Sequence, residues 1–258
     1  MVLSTLQWGT FRYTTLMAIN KSLTINKSNT LVKSSYKLTL RARQLIEISI
    51  AKVSWEKGIP ETIEITADEF SSAFPDIKQA ESYKELNKAS DDLYEQSIDL
   101  IAPEKEARAR FRWVDGVKYF DGEGRVELDF TKWVKPYLTE LKNDYTKYRL
   151  LDIGRLNSAH AIRLYELLMQ FQETGFRVDK LDSLKELFGV QENYKRWVDF
   201  DKYVLKPSIK NINDSSNWKV IHKPIKKGRK IDRVEFRFAP KSEGLNDGDA
   251  HLQSNIDF

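Results

Sequence analysis

The sequence predicts an α+β protein in which one order of elements occurs twice. Three observations predict it. Apolar residues at helical spacing recur in segments of ordinary helix length, alternating runs follow them in each half, and the order is similar before and after about residue 150. A chain of 258 residues is long enough for a sizeable core and one or two domains. Apolar content of 41%, with 12% aromatic, argues against a disordered chain. No run of about 18 apolar residues offers a membrane span.

Residues 1–27 show no sustained periodicity and are expected to form a flexible arm. They hold neither a long apolar core nor a small-residue cleavage site, so a signal peptide is not expected, and Met17 is an alternative start to Met1. Thr39 can cap a helix running to about Ser54, with Ala42, Leu45, Ile46, Ser49 and Val53 on one side. "ETIEITADEF" gives a short strand, Ile63 and Ile65 on one face, then a helix from about Asp68 to Phe74, before Pro75. Ser82 and Glu85 match the S-x-x-E capping box and would open a helix to about Leu100. In "ARFRWVDGVKYF", Asp115-Gly116 stands between two β-rich arms, the pattern of a hairpin turn. "RVELDF" is a further strand, and "TKWVKPYLTELKNDYTKYRL" is expected to close the first unit as a helix.

The second unit begins near Leu151. "LNSAHAIRLYELLMQF" reads as a core helix capped by Asn157 or Ser158, its wide apolar stripe running from Ala161 to Phe171, and His160 in its first turn reads as structural. "DSLKELFG" is a short helix ending at Gly189. After the linker "VQENYKRW" come the helix "DFDKYVLKPSIKNIN", the strand "NWKVIH", a basic turn and the strand "IDRVEFRF". Helix, short helix, turn, helix, two-stranded hairpin is the order of a winged helix-turn-helix. The expectation is therefore two tandem winged-helix domains, 28–149 and 150–240, with flexible N- and C-terminal tails. The last stretch, 241–258, is polar with Gly and Asn and reads as disordered.

Charge is unevenly spread. The formal net charge is +4, but Asp68 to Glu106 holds four Lys/Arg against eleven Asp/Glu, and Lys195 to Arg237 holds thirteen against five: −7 in one window, +8 in the other. A basic stripe confined to one region is the footprint of a polyanion-binding surface, although a solvated face gives the same pattern. With no cysteine, disulfides, thiolate metal sites and cysteine nucleophiles are excluded. His160, His222 and His251 lie far apart, and no HExxH appears, so no metal site is expected.

Two elements carry the candidate binding residues. In the last helix Lys202, Lys206 and Lys210 fall at i, i+4 and i+8, on one side with Tyr203 and Asn213, while Phe200, Val204, Leu205, Ser208, Ile209 and Ile212 cover the other. Such a helix can enter a major groove, where phosphates flank the base edges, and an ordinary surface helix with a lysine face remains the alternative. Lys195 and Arg196 precede it and could hold its entry to a phosphate. Asp201 and Asn211 fit the apolar arc poorly, and Pro207 should kink the helix or split it. In "IDRVEFRF", Val234, Phe236 and Phe238 point one way and Arg233, Glu235 and Arg237 the other, with Trp218 and Val220 on the same core. The turn before it carries Lys223, Lys226, Lys227, Arg229 and Lys230, with Gly228 available for a positive φ. A solvated loop or a targeting tract is the bland reading of that turn. A targeting tract has no reason to lie inside a hairpin, whereas a wing over a sugar–phosphate backbone needs cations there.

"NSAHAIRLYELLMQF", "FDKYVLKPSIKNIN" and "KKGRKIDRVEFRF", in this order and spacing, resemble the second winged-helix domain of iteron-binding plasmid replication initiators, the Rep proteins of theta-type replicons. "NKSNTLVKSSYKLTLRARQLIEISIAKV" and "YFDGEGRVELDFTKWVKPYL" are similar to parts of their first domain, so the resemblance runs from about Asn26 to Phe238. It implies double-stranded DNA with origin direct repeats as the ligand, origin opening, and recruitment of the host initiator protein and replicative helicase. It also implies a homodimer in equilibrium with monomer that represses its own gene, in the cytoplasm of a bacterial host, with no cofactor. The DNA-reading role carries over onto Lys202, Lys206 and Lys210, and the wing role onto Lys226, Lys227, Arg229 and Lys230. The acidic first domain suits dimerisation or partner contacts, with auxiliary DNA contacts, and the second is expected to carry the main sequence-specific DNA binding.

Other functional classes find less support in the sequence. No G-x-x-x-x-G-K-[ST] occurs, which disfavours a P-loop ATPase. No paired histidines could hold the metal of a rolling-circle nickase, so no catalytic residue is expected. A winged-helix transcriptional regulator without initiator activity would share both the fold and the stripe, and a protein-interaction module is the third reading.

Overall fold

The structure is a computed structural model describing residues 23–53, 59–102, 107–139 and 145–244. The expected N-terminal arm up to residue 22, both candidate starts, and the expected tail beyond residue 244 lie outside the described residues. The chain divides into two units between Arg155 and Leu156.

The first unit opens with β1 (Thr24–Ser28), so residues 24–27, expected in the arm, are a strand instead. It pairs antiparallel with β7 (Tyr145–Arg149), Ile25 opposite Tyr148. This corrects the long closing helix. Among the described residues of that segment only α5 (Pro136–Thr139) and the start of α6 (Leu150–Ile153) are helical, and Thr146 and Tyr148 alternate inward with period two. The short helix α1 (Asn29–Val32) follows β1, and α2 (Leu40–Ala51) is capped by Thr39, whose Oγ1 accepts the Ala42 N–H at 3.2 Å.

The helix α2 is buried from Ala42 to Ala51, not on one side only. Its polar side is covered because β1 and β7 supply partners. Lys27 Nζ donates to Glu47 Oε1 at 2.7 Å, and Tyr148 OH donates to Glu47 Oε2 at 3.0 Å, deep in the unit. Sequence periodicity could not show this, since it depends on strands about 20 and 100 residues away.

The strand β2 (Ile63–Thr66) leads into α3 (Ala67–Ala73) through a capping box of Thr66 and Glu69. The box expected at Ser82 and Glu85 does not form. Ser82 Oγ donates to the Gln79 carbonyl, in a 3₁₀ turn before α4 (Ser82–Glu95), and Glu85 accepts from Arg41 Nε at 2.8 Å. The strands β3 (Ser97–Ala102) and β4 (Ala107–Arg112) pair with each other, while β5 (Val114–Phe120) and β6 (Arg125–Phe130) form a sheet with β2 in the order β2-β6-β5. The expected turn at Asp115-Gly116 is instead a bulge within β5. A Cβ on Gly116 would lie 3.4 Å from the Asp129 carboxylate, and the chain reverses after Phe120.

The second unit is built on α7 (Ala159–Met169), whose residues from Ala161 to Met169 are buried. The strand β8 (Phe176–Lys180) was not anticipated, for its exposure does not alternate and it has no strong turn signal. It makes the expected two-stranded hairpin a three-stranded sheet, β8-β10-β9, from β9 (Trp218–Lys227) and β10 (Lys230–Pro240). Gly175 permits that join, since a Cβ there would meet the Phe238 carbonyl oxygen at 2.6 Å. The short helix α8 (Leu181–Leu187) ends in a Schellman motif, with Val190 N–H on the Lys185 carbonyl and Gly189 N–H on that of Glu186.

Candidate nucleic-acid interface

The basic helix of the second unit is continuous but not uniform. It runs as α9 (Trp197–Phe200), a π-helical turn over Asp201–Leu205, and α10 (Lys206–Ser215). Pro207 explains the turn. Proline has no N–H, and its ring would press on the carbonyl four residues back. Widening the preceding turn, with the Lys206 N–H bonded to the Asp201 carbonyl, takes up that mismatch and leaves Pro207 in the first turn of α10, where its missing N–H costs little. The helix is therefore neither broken nor split.

Its two faces separate as the spacing predicts. Phe200, Val204, Leu205, Ser208, Ile209 and Ile212 are buried, each large apolar side chain contributing about 1.5–3 kcal/mol by leaving water. Lys202, Tyr203, Lys206 and Lys210 are exposed in a row. Local carboxylates hold two of them: Lys206 Nζ lies 2.9 Å from Asp201 Oδ2, and Lys210 pairs with Asp214. Lys202 lies over the Tyr203 ring, its Nζ 5.0 Å from the centroid, and Tyr203 is stacked near Tyr194. At the entry, Lys195 is exposed, and Arg196 donates Nε and Nη2 to the two Asp199 oxygens at 2.7 and 2.9 Å. That bond holds the Asp199 carboxyl below its ordinary range and raises the guanidinium.

The two residues that fit the apolar arc poorly have partners. Asn211 Oδ1 accepts the Asn157 N–H at 3.1 Å, in the turn before α7. Asp201 Oδ1 accepts from His222 Nε2 at 2.6 Å. Asn213, expected in the exposed row, turns away from it. Its Nδ2 donates to the Val220 carbonyl at 2.9 Å and its Oδ1 accepts the Val220 N–H at 2.7 Å. The i+11 position from Lys202 predicts the side of the helix but not a strand edge waiting there.

The wing is the hairpin of β9 and β10. Val220, Val234, Phe236 and Phe238 face the core, and Trp218 packs 6.0 Å from Phe238. Lys223, Lys226, Lys227, Arg229, Lys230 and Arg233 are all exposed. Arg233 lies 3.4 Å from Asp232, where the pairing shifts register, and the other five have no ion-pair partner among the described residues. Gly228, φ 63°, turns the tip. A hairpin with exposed cations at its tip and a helix with an exposed lysine row are two elements suited to a helical polyanion, the row to the groove and the tip to the backbone.

The first unit offers a different surface. On α4 and β5, Tyr83 OH donates to Asp121 at 2.8 Å and Tyr119 OH bonds Asp91; burial first, then those carboxylates, pushes both phenols up. Trp133 is 54% exposed and stacks on Phe111. Among the described residues no helix is long and apolar enough to cross a membrane, and no group of His, Asp and Glu is placed to hold a metal ion.

Known proteins resemble this chain in sequence and in fold. Residues 24–169 match the family described as Initiator Replication protein, WH1, and residues 180–238 match Initiator Rep protein, WH2. A replication initiation protein of Escherichia coli is 27% identical, over 83% of this chain and 69% of its own length. The PI protein of Escherichia coli is 24% identical, over 88% of this chain and 86% of its own. A crystal structure of the Pi initiator protein in complex with iteron DNA superposes with a TM-score of 0.73 at 21% identity, over 85% of this chain and 98% of that one, a likeness of fold.

Proposed function

The chain belongs to the initiator replication protein family, and from that premise we propose that it starts replication of a plasmid or plasmid-like circle by binding direct repeats at the origin. The second winged helix reads the repeat. Lys202, Lys206 and Lys210, with Tyr203, enter the major groove, while Lys195 and Arg196 hold the helix entry to phosphate. Lys223, Lys226, Lys227, Arg229, Lys230 and Arg233 hold the wing on the adjacent backbone. Bound copies promote opening of the duplex and recruit the host initiator protein and replicative helicase. The acidic first unit carries self-association, and the dimer represses the gene. The protein acts in the cytoplasm of its bacterial host and performs no catalytic step of its own.

The observation that carries this reading is the exposed lysine row of one helix together with five exposed cations on one hairpin that have no ion-pair partner among the described residues. A regulator without initiator activity is not favoured, since both units match initiator families. The deciding experiment places this gene and its flanking direct repeats on a circle that cannot otherwise replicate. Stable maintenance is expected; loss of the circle, with repeat binding intact, returns the protein to regulation.

A further inference from the structure

We propose that Asp201, His222 and Asn213 are positioning residues that lock the reading helix and the wing into one rigid edge, and so set how many phosphates are held at once. The proposal rests on the helix-and-wing reading above. Two clamps, at Asp201 and Asn213 near opposite ends of the helix, join it to His222 and Val220 of the same strand. At the π-helical turn, Asp201 is only 9% exposed, on the side of the helix where a leucine would pack. A buried carboxylate is costly unless it is bonded, and its two oxygens are divided between the wing and the reading row. Oδ1 takes His222 of β9 at 2.6 Å, and Oδ2 takes Lys206 at 2.9 Å. The imidazole is itself fixed between rings, 6.3 Å from Phe236 and 6.4 Å from Trp197.

At the far end, β9 is an edge strand whose Val220 N–H and C=O would otherwise face outward. The Asn213 amide meets both, as a neighbouring strand would. One clamp alone would leave the hairpin free to swing about it, and two at separate points forbid that swing. Helix cations and wing cations then reach one duplex in a fixed register. Binding does not have to order them first, and each contact raises the effective concentration of the next.

The test is the salt dependence of the full chain on a repeat-bearing duplex, where the slope of log affinity against log salt counts neutralised phosphates at about 0.9 each. Asn213→Ala, His222→Phe and their combination are compared with His222→Gln, which keeps a donor for Asp201. The combined variant should lose at least about 1.8 from the slope, two phosphates' worth. Replacing Lys226, Lys227, Arg229 and Lys230 by Ala in that background should then change the slope little further, and His222→Gln should restore most of it. A clamp that only stabilises the fold would lower the folded fraction and leave the slope untouched, and that result overturns the proposal. The clamp is read separately in the free protein, where amide exchange along Ile225–Ile231 should quicken in the combined variant; unchanged exchange also overturns it. If instead the four wing substitutions alone leave the slope of the otherwise unaltered chain intact while exchange behaves as expected, it is the wing reading that falls, not the clamp.

Discussion

Asp199 ties down one of the exposed cations at the start of the basic helix. The Arg196 side chain is 78% exposed at the entry of the reading helix, yet both of its bonded nitrogens are spent on Asp199. The lowered carboxyl pKa means that the pair is complete above the ordinary carboxylate range and is lost only as pH falls through the lowered value. In the proposed DNA complex Asp199 would therefore compete with phosphate for Arg196 at neutral pH. Replacing Asp199 by Asn should free the guanidinium fully for phosphate, tighten DNA binding at low salt, and steepen the salt slope by up to about 0.9. A salt titration beside the unaltered chain measures it. A second single residue matters for stability rather than binding. Glu47 is wholly buried and answers both Lys27 and Tyr148. Glu47→Ala takes the carboxylate away from a buried ammonium, so the first unit should lose about 3–5 kcal/mol in urea unfolding, whereas the exposed pair of Arg112 and Glu95 should be worth about 0–1.

The elements differ in how far they were legible. The reading helix and the wing were legible because their patterns are local: lysines every fourth residue, apolar residues filling the opposite side, and alternation from Asp232 to Phe238. The π-helical turn was half legible, since Pro207 announces a disturbance but not its form. The helix expected to run to about Leu100 ends at Glu95 and gives way to β3, and β1, β7 and β8 are not visible in the sequence because each is defined by a distant partner, the register of β1 on β7 spanning more than 100 residues. Asn213 was placed on the right helix with the wrong neighbour for the same reason, as Val220 comes to it only through the hairpin's return. The local character of the two basic elements also makes their roles separable. Lys210→Ala should weaken binding to the repeat by about 1–3 kcal/mol and weaken binding to random DNA less, if the ammonium reaches a base edge. Alanine at Lys226, Lys227, Arg229 and Lys230 should flatten the salt slope and leave the preferred sequence unchanged. Competition binding with cognate and random duplexes distinguishes the two, and equal losses for Lys210→Ala would reassign it to phosphate.

At the scale of the whole molecule, the division between Arg155 and Leu156 bears on how the halves can be studied. A cut after Arg149, where composition and element order suggest a boundary, would strip Leu150–Ile153 from the first unit. Leu150 and Ile153 are buried there, the Leu150 N–H bonds the Leu23 carbonyl, and Gly154 packs so closely on the Ala73 carbonyl that a Cβ would meet it at 2.6 Å. A fragment ending at Arg155 keeps that packing. Its carboxylates from Glu81 to Asp99 would repel a phosphate backbone, while the window from Lys195 to Arg237 in the other unit attracts one. The fragment ending at Arg155 should therefore self-associate and bind DNA weakly, and one from Leu156 to Gly244 should stay monomeric and select the repeat with reduced affinity. Sedimentation measures the first property and titration with a repeat-bearing duplex the second. A first half that selects the repeat, together with a second half that dimerises, would reverse the roles, and the charge asymmetry would then mark something other than the division between assembly and DNA binding.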